Sequence, residues 1–142
     1  MLAGLFALTI ADAFASAAFY INVAEHPARM SLPTEAAVRQ WRPSYKRGFA
    51  MQASLAVIGG LSALWQWHLD GCLFWLAGGV LLLVNWPYTL LIIMPVNHRL
   101  ETPGAETSIE AAGLLRRWNR LHAGRTALGL LATAMMLTAA AG

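Results

Sequence analysis

The sequence is poor in charge and has almost no cysteine. Only 12% of its 142 residues are charged, which is about half the share typical of a soluble domain. Cys72 is the only cysteine, and this excludes an intrachain disulfide and a cysteine-rich zinc site. A glycine-rich phosphate loop, a long low-complexity tract and the alternation of a β-strand are also missing. These absences indicate one all-helical domain of a kind unusual among soluble proteins.

What the sequence has instead is apolar residues. Hydrophobic residues make up 58% of the chain, and its mean hydropathy is +0.52. Apolar stretches cover about residues 2–24, 48–67, 71–96 and 120–141, and most are near the ~20 residues that a helix needs to cross a bilayer. We therefore predict a single domain over residues 1–142, an all-α integral membrane four-helix bundle with up-down topology.

Positive charge is confined to two parts of the chain. The basic residues follow the first and third spans or begin the fourth: Arg29, Arg39, Arg42, Lys46, Arg47, Arg99, Arg116, Arg117, Arg120 and Arg125. The positive-inside rule makes both connections cytoplasmic and predicts that both termini lie outside, in a bacterial inner (cytoplasmic) membrane. The basic face should contact membrane lipid, and the sequence pI near 9.6 requires no nucleic acid partner.

The first apolar stretch and the helix ends carry further signals. No basic region precedes the first stretch, so we expect an uncleaved helix and not a signal peptide. Pro43 suits the first turn of the second helix, Pro87 should kink the third, and Pro95 should end it, with Asn97 beginning the loop. Thr107–Glu110 has the spacing of a capping box and predicts the start of the fourth helix.

Polar and aromatic side chains recur near the basic ends of the spans. Polar groups facing lipid are costly, so these side chains should point into the bundle and form a pocket. Its aromatic wall would suit a flat apolar ligand, although interfacial anchoring and interhelical hydrogen bonds explain the same residues. The predicted substrate-contacting residues are Asn22, Trp41, Tyr45, Gln52, Asn85, Trp86, Tyr88 and Trp118.

Helical spacing adds a carboxylate to this picture. One stripe of the first helix should contain Asp12, Ser16, Phe19, Val23 and His26. A carboxylate inside a span is a functional hypothesis by default, which makes Asp12 a secondary candidate. Protonation, or water near the outer membrane surface, explains it equally well.

His26 and His122 lie at similar depth on the first and last helices, which are neighbours in an up-down bundle. With Glu25, Asn97 or Asp12 as further ligands they could hold copper or iron, and as paired axial ligands they could hold a haem. Without a metal, either imidazole could act as a general base. A purely structural role is the remaining alternative.

Four successive blocks of the chain resemble the signatures of a known family. They are YINVAEHPAR, WRPSYKRG with a downstream MQASLA, NWPYTLLIIMPVNHRL and RWNRLHAGRT. They resemble the small integral-membrane family that includes the anthrone oxygenases, over nearly the whole chain. The resemblance implies a four-helix membrane bundle. It also implies a monooxygenase that converts a tricyclic phenolic anthrone to an anthraquinone without flavin or haem.

The resemblance and the residues together suggest a mechanism. His26 or His122 would remove a proton from an acidic phenol or hydroquinone, and the resulting anion would react with dioxygen while Arg125, Arg29 and Asn97 stabilise the oxyanion. No cofactor is then required. Two other functions stay open: a haem- or copper-binding redox subunit, and a structural or lipid-binding membrane protein, either of which could be a homo-oligomer. The family pattern matches at Glu25, His26, Pro27, Arg29, Trp41, Tyr45, Asn85, Tyr88, Pro95, Asn97, Trp118, His122 and Arg125.

Overall fold

The computed structural model describes all residues, 1–142, and contains four long helices and no strand. The helices are α1 (Leu2–Met30), α2 (Thr34–Asp70), α3 (Leu73–Glu101) and α4 (Ala111–Ala141). Each is long and apolar enough to cross a membrane. The predicted all-α four-helix bundle is confirmed, and the four apolar helices indicate a membrane protein.

The helices form a ring in which sequence neighbours are antiparallel. α1 packs against α2 and α4, α3 packs against the same two helices, and diagonal contacts are few. Gly71 closes α2 in the left-handed conformation with φ 72°, which glycine adopts without steric cost. Because the helices alternate in direction, the connections 31–33 and 102–110 lie at one end of the bundle. Both termini and the Gly71 turn lie at the other end.

α2 is longer than predicted at its beginning. It starts at Thr34, so Pro43 lies inside the helix and the prediction that it occupies the first turn is wrong. The added residues are mostly good helix formers. They also bury Ala37, Val38 and Trp41 against α3 and α4. This burial compensates for the backbone hydrogen bond that Pro43 cannot donate.

The end of α3 also differs from the prediction. The helix continues past Pro95 to Glu101, so Asn97 lies within the helix and is fully buried. A π-helical turn at Thr89–Ile93 comes directly before the segment that contains Pro95. Because proline removes one backbone donor, a local change in the hydrogen-bond pattern lets the helix pass it. α1 repeats this arrangement, with a π-helical turn at Ile21–Glu25 before Pro27.

The start of α4 is not capped as predicted. Thr107 lies in a short 3₁₀ turn, and Glu110 precedes the helix. The hydroxyl of Ser108 accepts the Glu110 N–H at 3.2 Å, while the Glu110 carboxylate pairs with Arg99. The capping box is therefore absent, since both ends of the predicted motif have other partners.

The bundle interior has two apolar clusters with buried polar residues between them. The terminal cluster, near the chain termini, is Ala7, Ala11, Phe14, Ala56, Ala63, Trp75, Leu82, Ala132 and Met136. The loop cluster, near the connections, is Ala37, Val38, Trp41, Ile93, Val96, Leu100, Ala111, Leu114, Leu115 and Trp118. Along α2, α3 and α4 the buried polar residues that separate the clusters are Gln52, Asn85, Thr89, His122, Arg125 and Thr126. This polar layer positions the candidate site.

Candidate functional site

Arg125 is a buried cation without a counter-charge. Arg125 lies on α4 and is only 5% exposed. Its guanidinium lies 5.6 Å from the centre of the Phe14 ring. None of the ion pairs in the protein includes Arg125, and its Nε has no hydrogen-bond partner. A buried charge without a partner is costly. The position therefore favours an anionic group supplied by a ligand.

Arg125 faces a narrow cavity whose empty space is about 20 Å³, roughly the room that one water molecule needs. All four helices contribute to its wall, with Arg29 from α1, Tyr45 and Gln52 from α2, Asn97 from α3, and His122 and Arg125 from α4. The Nε2 of Gln52 and the Oδ1 of Asn97 are buried without hydrogen-bond partners. Such atoms are costly to leave unpaired. The cavity thus offers a cation, a free donor and a free acceptor to a polar ligand.

Aromatic rings form one side of this cavity. Trp41 and Tyr45 stack in parallel at 4.8 Å, and Trp41 meets the edge of Trp118 at 5.8 Å. Tyr45 and Trp118 line the cavity directly. Trp41 is completely buried behind them. The stack is rigid because each ring holds the next, so the cavity combines a flat apolar wall with the polar atoms of Arg125, Gln52 and Asn97.

His122 is held by a chain of polar side chains between α1 and α4. Its Nδ1 lies 3.3 Å from the amide oxygen of Asn22, which also accepts the Thr126 hydroxyl at 2.6 Å. The Nδ2 of Asn22 donates to Asn119, and this fixes the orientation of the Asn22 amide. Since an amide oxygen only accepts, the contact places the His122 proton on Nδ1 and leaves Nε2 as an acceptor. A neutral imidazole with an unprotonated Nε2 is the form required of a general base.

His26 lies on the other side of this region. Its ring centre is 6.2 Å from Trp118, and Trp118 is 4.9 Å from His122. Both imidazoles therefore pack near one tryptophan. Yet His26 does not line the cavity of Arg125 and opens into a separate surface pocket formed with α4. The structure brings the two histidines to one region but not into one cavity.

Glu25 is already engaged by neighbouring side chains. Its carboxylate accepts hydrogen bonds from Arg29 and from the Ser44 hydroxyl. Arg29 also donates to Gln40 and lies 5.6 Å from the Trp118 ring centre. No three His, Cys, Asp or Glu side chains lie close enough together to hold a metal ion. The tentative ligand set of Glu25 with the two histidines is therefore not assembled.

Comparison with known proteins adds a family assignment to this geometry. A family model described as "Anthrone oxygenase" matches residues 41–135, most of the chain. The protein belongs to the anthrone oxygenase family. The match supports an oxygenase-like function in the family. No curated protein and no solved structure matches the sequence. The matched part contains α3 and most of α2 and α4, so of the polar residues in the cavity wall it omits only Glu25 and Arg29.

Of three other predicted wall residues of this anthrone oxygenase family member, Trp86 and Tyr88 connect helices, whereas Asn85 bonds within its own helix. Asn85 donates to two carbonyls of its own helix, and its Oδ1 has no partner. The half-exposed Trp86 donates to the Ala53 carbonyl at 3.3 Å, which links α3 to α2. The Tyr88 hydroxyl donates to the Leu121 carbonyl at 2.7 Å, which links α3 to α4. Asn85 and Trp86 line a smaller pocket of about 10 Å³ with Arg125, whereas Tyr88 lines neither pocket.

Asp12 is not part of the site. It is exposed in the middle of α1, as are Ser16 and Val23, so the predicted buried stripe is wrong. The cause is the π-helical turn at Ile21–Glu25. A π-helical turn carries an extra residue, which rotates everything after it. His26 therefore turns inward while the residues spaced regularly before it face outward.

Sequence reasoning missed several residues of the site. Ser44, Phe49 and Thr89 line the cavity. Ser44 lies four residues before Gly48, which also lines the cavity, so regular helical spacing could have found it. Thr89 lies in a π-helical turn, where regular helical spacing does not apply.

A larger groove of about 570 Å³ lies beside the cavity, between α1 and α2. The groove and the cavity share Ile21, Glu25, Ser44 and Gly48 as lining residues. At Gly48 the nearest atom to an added Cβ would be the Ile21 side chain, at 3.9 Å. The absence of a side chain at Gly48 thus leaves the junction between groove and cavity open.

Proposed function

We propose that this protein is a membrane-embedded, monooxygenase-like enzyme that acts on an acidic hydroxyaromatic substrate, whose anionic oxygen enters the Arg125 cavity from the adjoining groove. The observation that carries the proposal is a buried guanidinium with no counter-charge, placed beside aromatic rings. A phenolate or enolate would supply both the missing charge and a flat apolar body. Membership of the anthrone oxygenase family supports the oxygenase chemistry.

In the proposed reaction His122 acts as the base. Its Nε2 removes the acidic proton, and Arg125 stabilises the anionic oxygen that forms. The electron-rich anion then reacts with dioxygen. One oxygen atom becomes a carbonyl oxygen of the product, and the other leaves as water with two hydrogens of a substrate CH₂ group. The substrate supplies all the electrons, so the reaction needs neither an external reductant nor a bound cofactor.

The positions of His26 and Arg29 suggest supporting roles. Arg29 lines the cavity, but its charge is balanced by Glu25, so it contributes less to binding an anion than Arg125 does. His26 lies outside the cavity. We therefore assign proton removal to His122 and not to His26.

Access of substrate would be from the membrane. The groove between α1 and α2 shares its inner wall with the cavity, and a hydrophobic aromatic molecule partitions into lipid. We place the basic ends of the helices at the cytoplasmic face of a bacterial inner membrane, with both termini outside, by the positive-inside rule. The cavity then lies on the cytoplasmic side of the membrane centre.

The test uses the purified protein in lipid nanodiscs with anthrone as the probe substrate. We expect anthraquinone to form faster than by spontaneous oxidation, with one O₂ consumed for each product molecule. Arg125→Gln should abolish the acceleration, and Arg117→Gln, an exposed arginine of the same helix that lines neither cavity nor groove, should retain it. Acceleration that survives Arg125→Gln, or stoichiometric haem or copper in the active protein, would contradict the proposal.

A further inference from the structure

We propose that the surface pocket at His26 is a second site, which binds a phosphate group. The pocket lies between α1 and α4 and has a volume of about 430 Å³. It is lined by His26, Gly113, Arg116, Asn119 and Arg120. It shares no residue with the Arg125 cavity. The inference is therefore independent of the proposed oxygenase activity.

Two arginines without ion-pair partners supply the positive charge. Arg116 and Arg120 are exposed and take part in none of the ion pairs in the protein. They lie four residues apart on α4 and hence on the same face of the helix. α4 contains no acidic residue. The one carboxylate near His26 on α1, Glu25, is engaged by Arg29 and Ser44, so no internal anion competes for the pocket.

Two further side chains of the pocket are polar. His26 is only 5% exposed, and its Nδ1 has no hydrogen-bond partner. The Oδ1 of Asn119 accepts from Asn22, which leaves the Asn119 Nδ2 group as a donor. Nothing lies within 4 Å of a Cβ added at Gly113, so that part of the pocket is open to a ligand. No hydrophobic residue lines it.

This donor-rich arrangement matches a group with several acceptor oxygens. Phosphate offers three or four such oxygens, and arginine binds it through paired N–H donors. A single carboxylate would leave most of these donors unpaired. The pocket lies on the half of the bundle that carries the basic connections, where a lipid headgroup can reach a membrane helix. The phosphate could belong to an anionic lipid or to a free phosphate compound, and the chemistry of recognition is the same.

The experiment measures thermal unfolding of the full-length protein in a neutral detergent. One arm adds inorganic phosphate at constant ionic strength, with chloride as the reference ion. The other adds phosphatidylglycerol, with phosphatidylcholine as the reference lipid. We expect a saturable rise in melting temperature in at least one arm. A response to phosphatidylglycerol alone identifies a lipid headgroup, and a response to inorganic phosphate identifies a free phosphate; either result supports the site.

Matched variants separate a built site from general attraction to positive charge. Arg120→Gln and Arg117→Gln remove the same charge from the same helix, but only Arg120 lines the pocket. Arg120→Gln should raise the ligand concentration at half-saturation roughly tenfold, the value of one charge-assisted hydrogen bond. Arg117→Gln should change that concentration less than about twofold. Equal effects of the two variants, or no saturable response in either arm, would overturn the proposal.

Discussion

The two halves of the bundle pack by different rules. Around the terminal cluster, large side chains lie against glycine or alanine: Trp75 lies over Gly4, and Phe14 lies over Gly129. Around the loop cluster, large rings lie against one another, as Trp41 does against Tyr45 and Trp118. Large-to-small packing fills space and brings helix backbones together. Ring-to-ring packing occurs beside the buried polar groups, where the cavity and the groove also lie.

Removing the buried charge should have the largest effect on the loop half. Arg125→Gln keeps a polar side chain of similar length but cannot neutralise an oxyanion. We expect turnover of anthrone to fall by about 10²–10³, the usual cost of losing a transition-state oxyanion donor. The bundle should still fold, because removal of an uncompensated buried charge is not destabilising. Steady-state rates and the melting temperature, measured on the same sample, check both statements.

Adding volume to the terminal half should have the largest effect on stability. A Cβ at Gly79 would lie 3.0 Å from the Gly60 carbonyl oxygen, a backbone atom of α2 that cannot turn aside. Gly79→Leu should therefore separate α2 from α3 and destabilise the protein by about 1–3 kcal/mol. Gly113→Leu on α4 is the control, since nothing lies within 4 Å of its added Cβ. Thermal unfolding in detergent should show a lowered midpoint for Gly79→Leu alone; equal midpoints would remove the contrast between the halves.

Adding volume to the loop half should slow the entry of substrate into the cavity without affecting folding. Gly48 has only the Ile21 side chain within 4 Å of an added Cβ, so Gly48→Leu should fit while narrowing the junction between groove and cavity. We expect kcat/KM for anthrone to fall roughly tenfold, with kcat at saturating substrate nearly unchanged. Gly48→Ala should behave like the unmodified protein. A Gly48→Leu enzyme with unaltered kcat/KM would mean that substrate arrives by another route.

The smallest expected effect concerns the connection 102–110. Arg42 donates to the Leu100 and Thr102 carbonyls and to the Glu106 carboxylate at 2.7 Å. The backbone N–H of Glu106 and then Arg42 hold the pKa of this carboxyl below its usual value. A lowered pKa stabilises the fold above the unfolded pKa of about 4.3, and this stabilisation is lost as pH falls through the folded pKa. The melting-temperature difference between the unmodified protein and Glu106→Gln should shrink as the pH is lowered below the unfolded pKa of about 4.3. A difference independent of pH would show that the ionised carboxylate does not matter.

Much of the candidate site could be predicted because buried polar groups in a membrane helix must face the bundle. Gln52, Asn97, His122 and Arg125 were all expected in one pocket, and they line one cavity. The two histidines do not share one cavity as predicted, because His26 lines a separate surface pocket. His26 lies on the predicted helix, but the direction of its side chain depends on helical phase.

Sequence alone determined the number of helices, their order and the end of the bundle at which polar side chains gather. Those properties follow from hydropathy and from the need to bury polar groups, which act on each segment separately. Only the tertiary structure decided which side chains face one cavity. The π-helical turns at Ile21–Glu25 and Thr89–Ile93 shift the helical phase, and one partner of Glu25, Ser44, comes from another helix. A one-residue shift in phase costs little locally, so contacts between helices, and not the local sequence, set the final direction of each side chain.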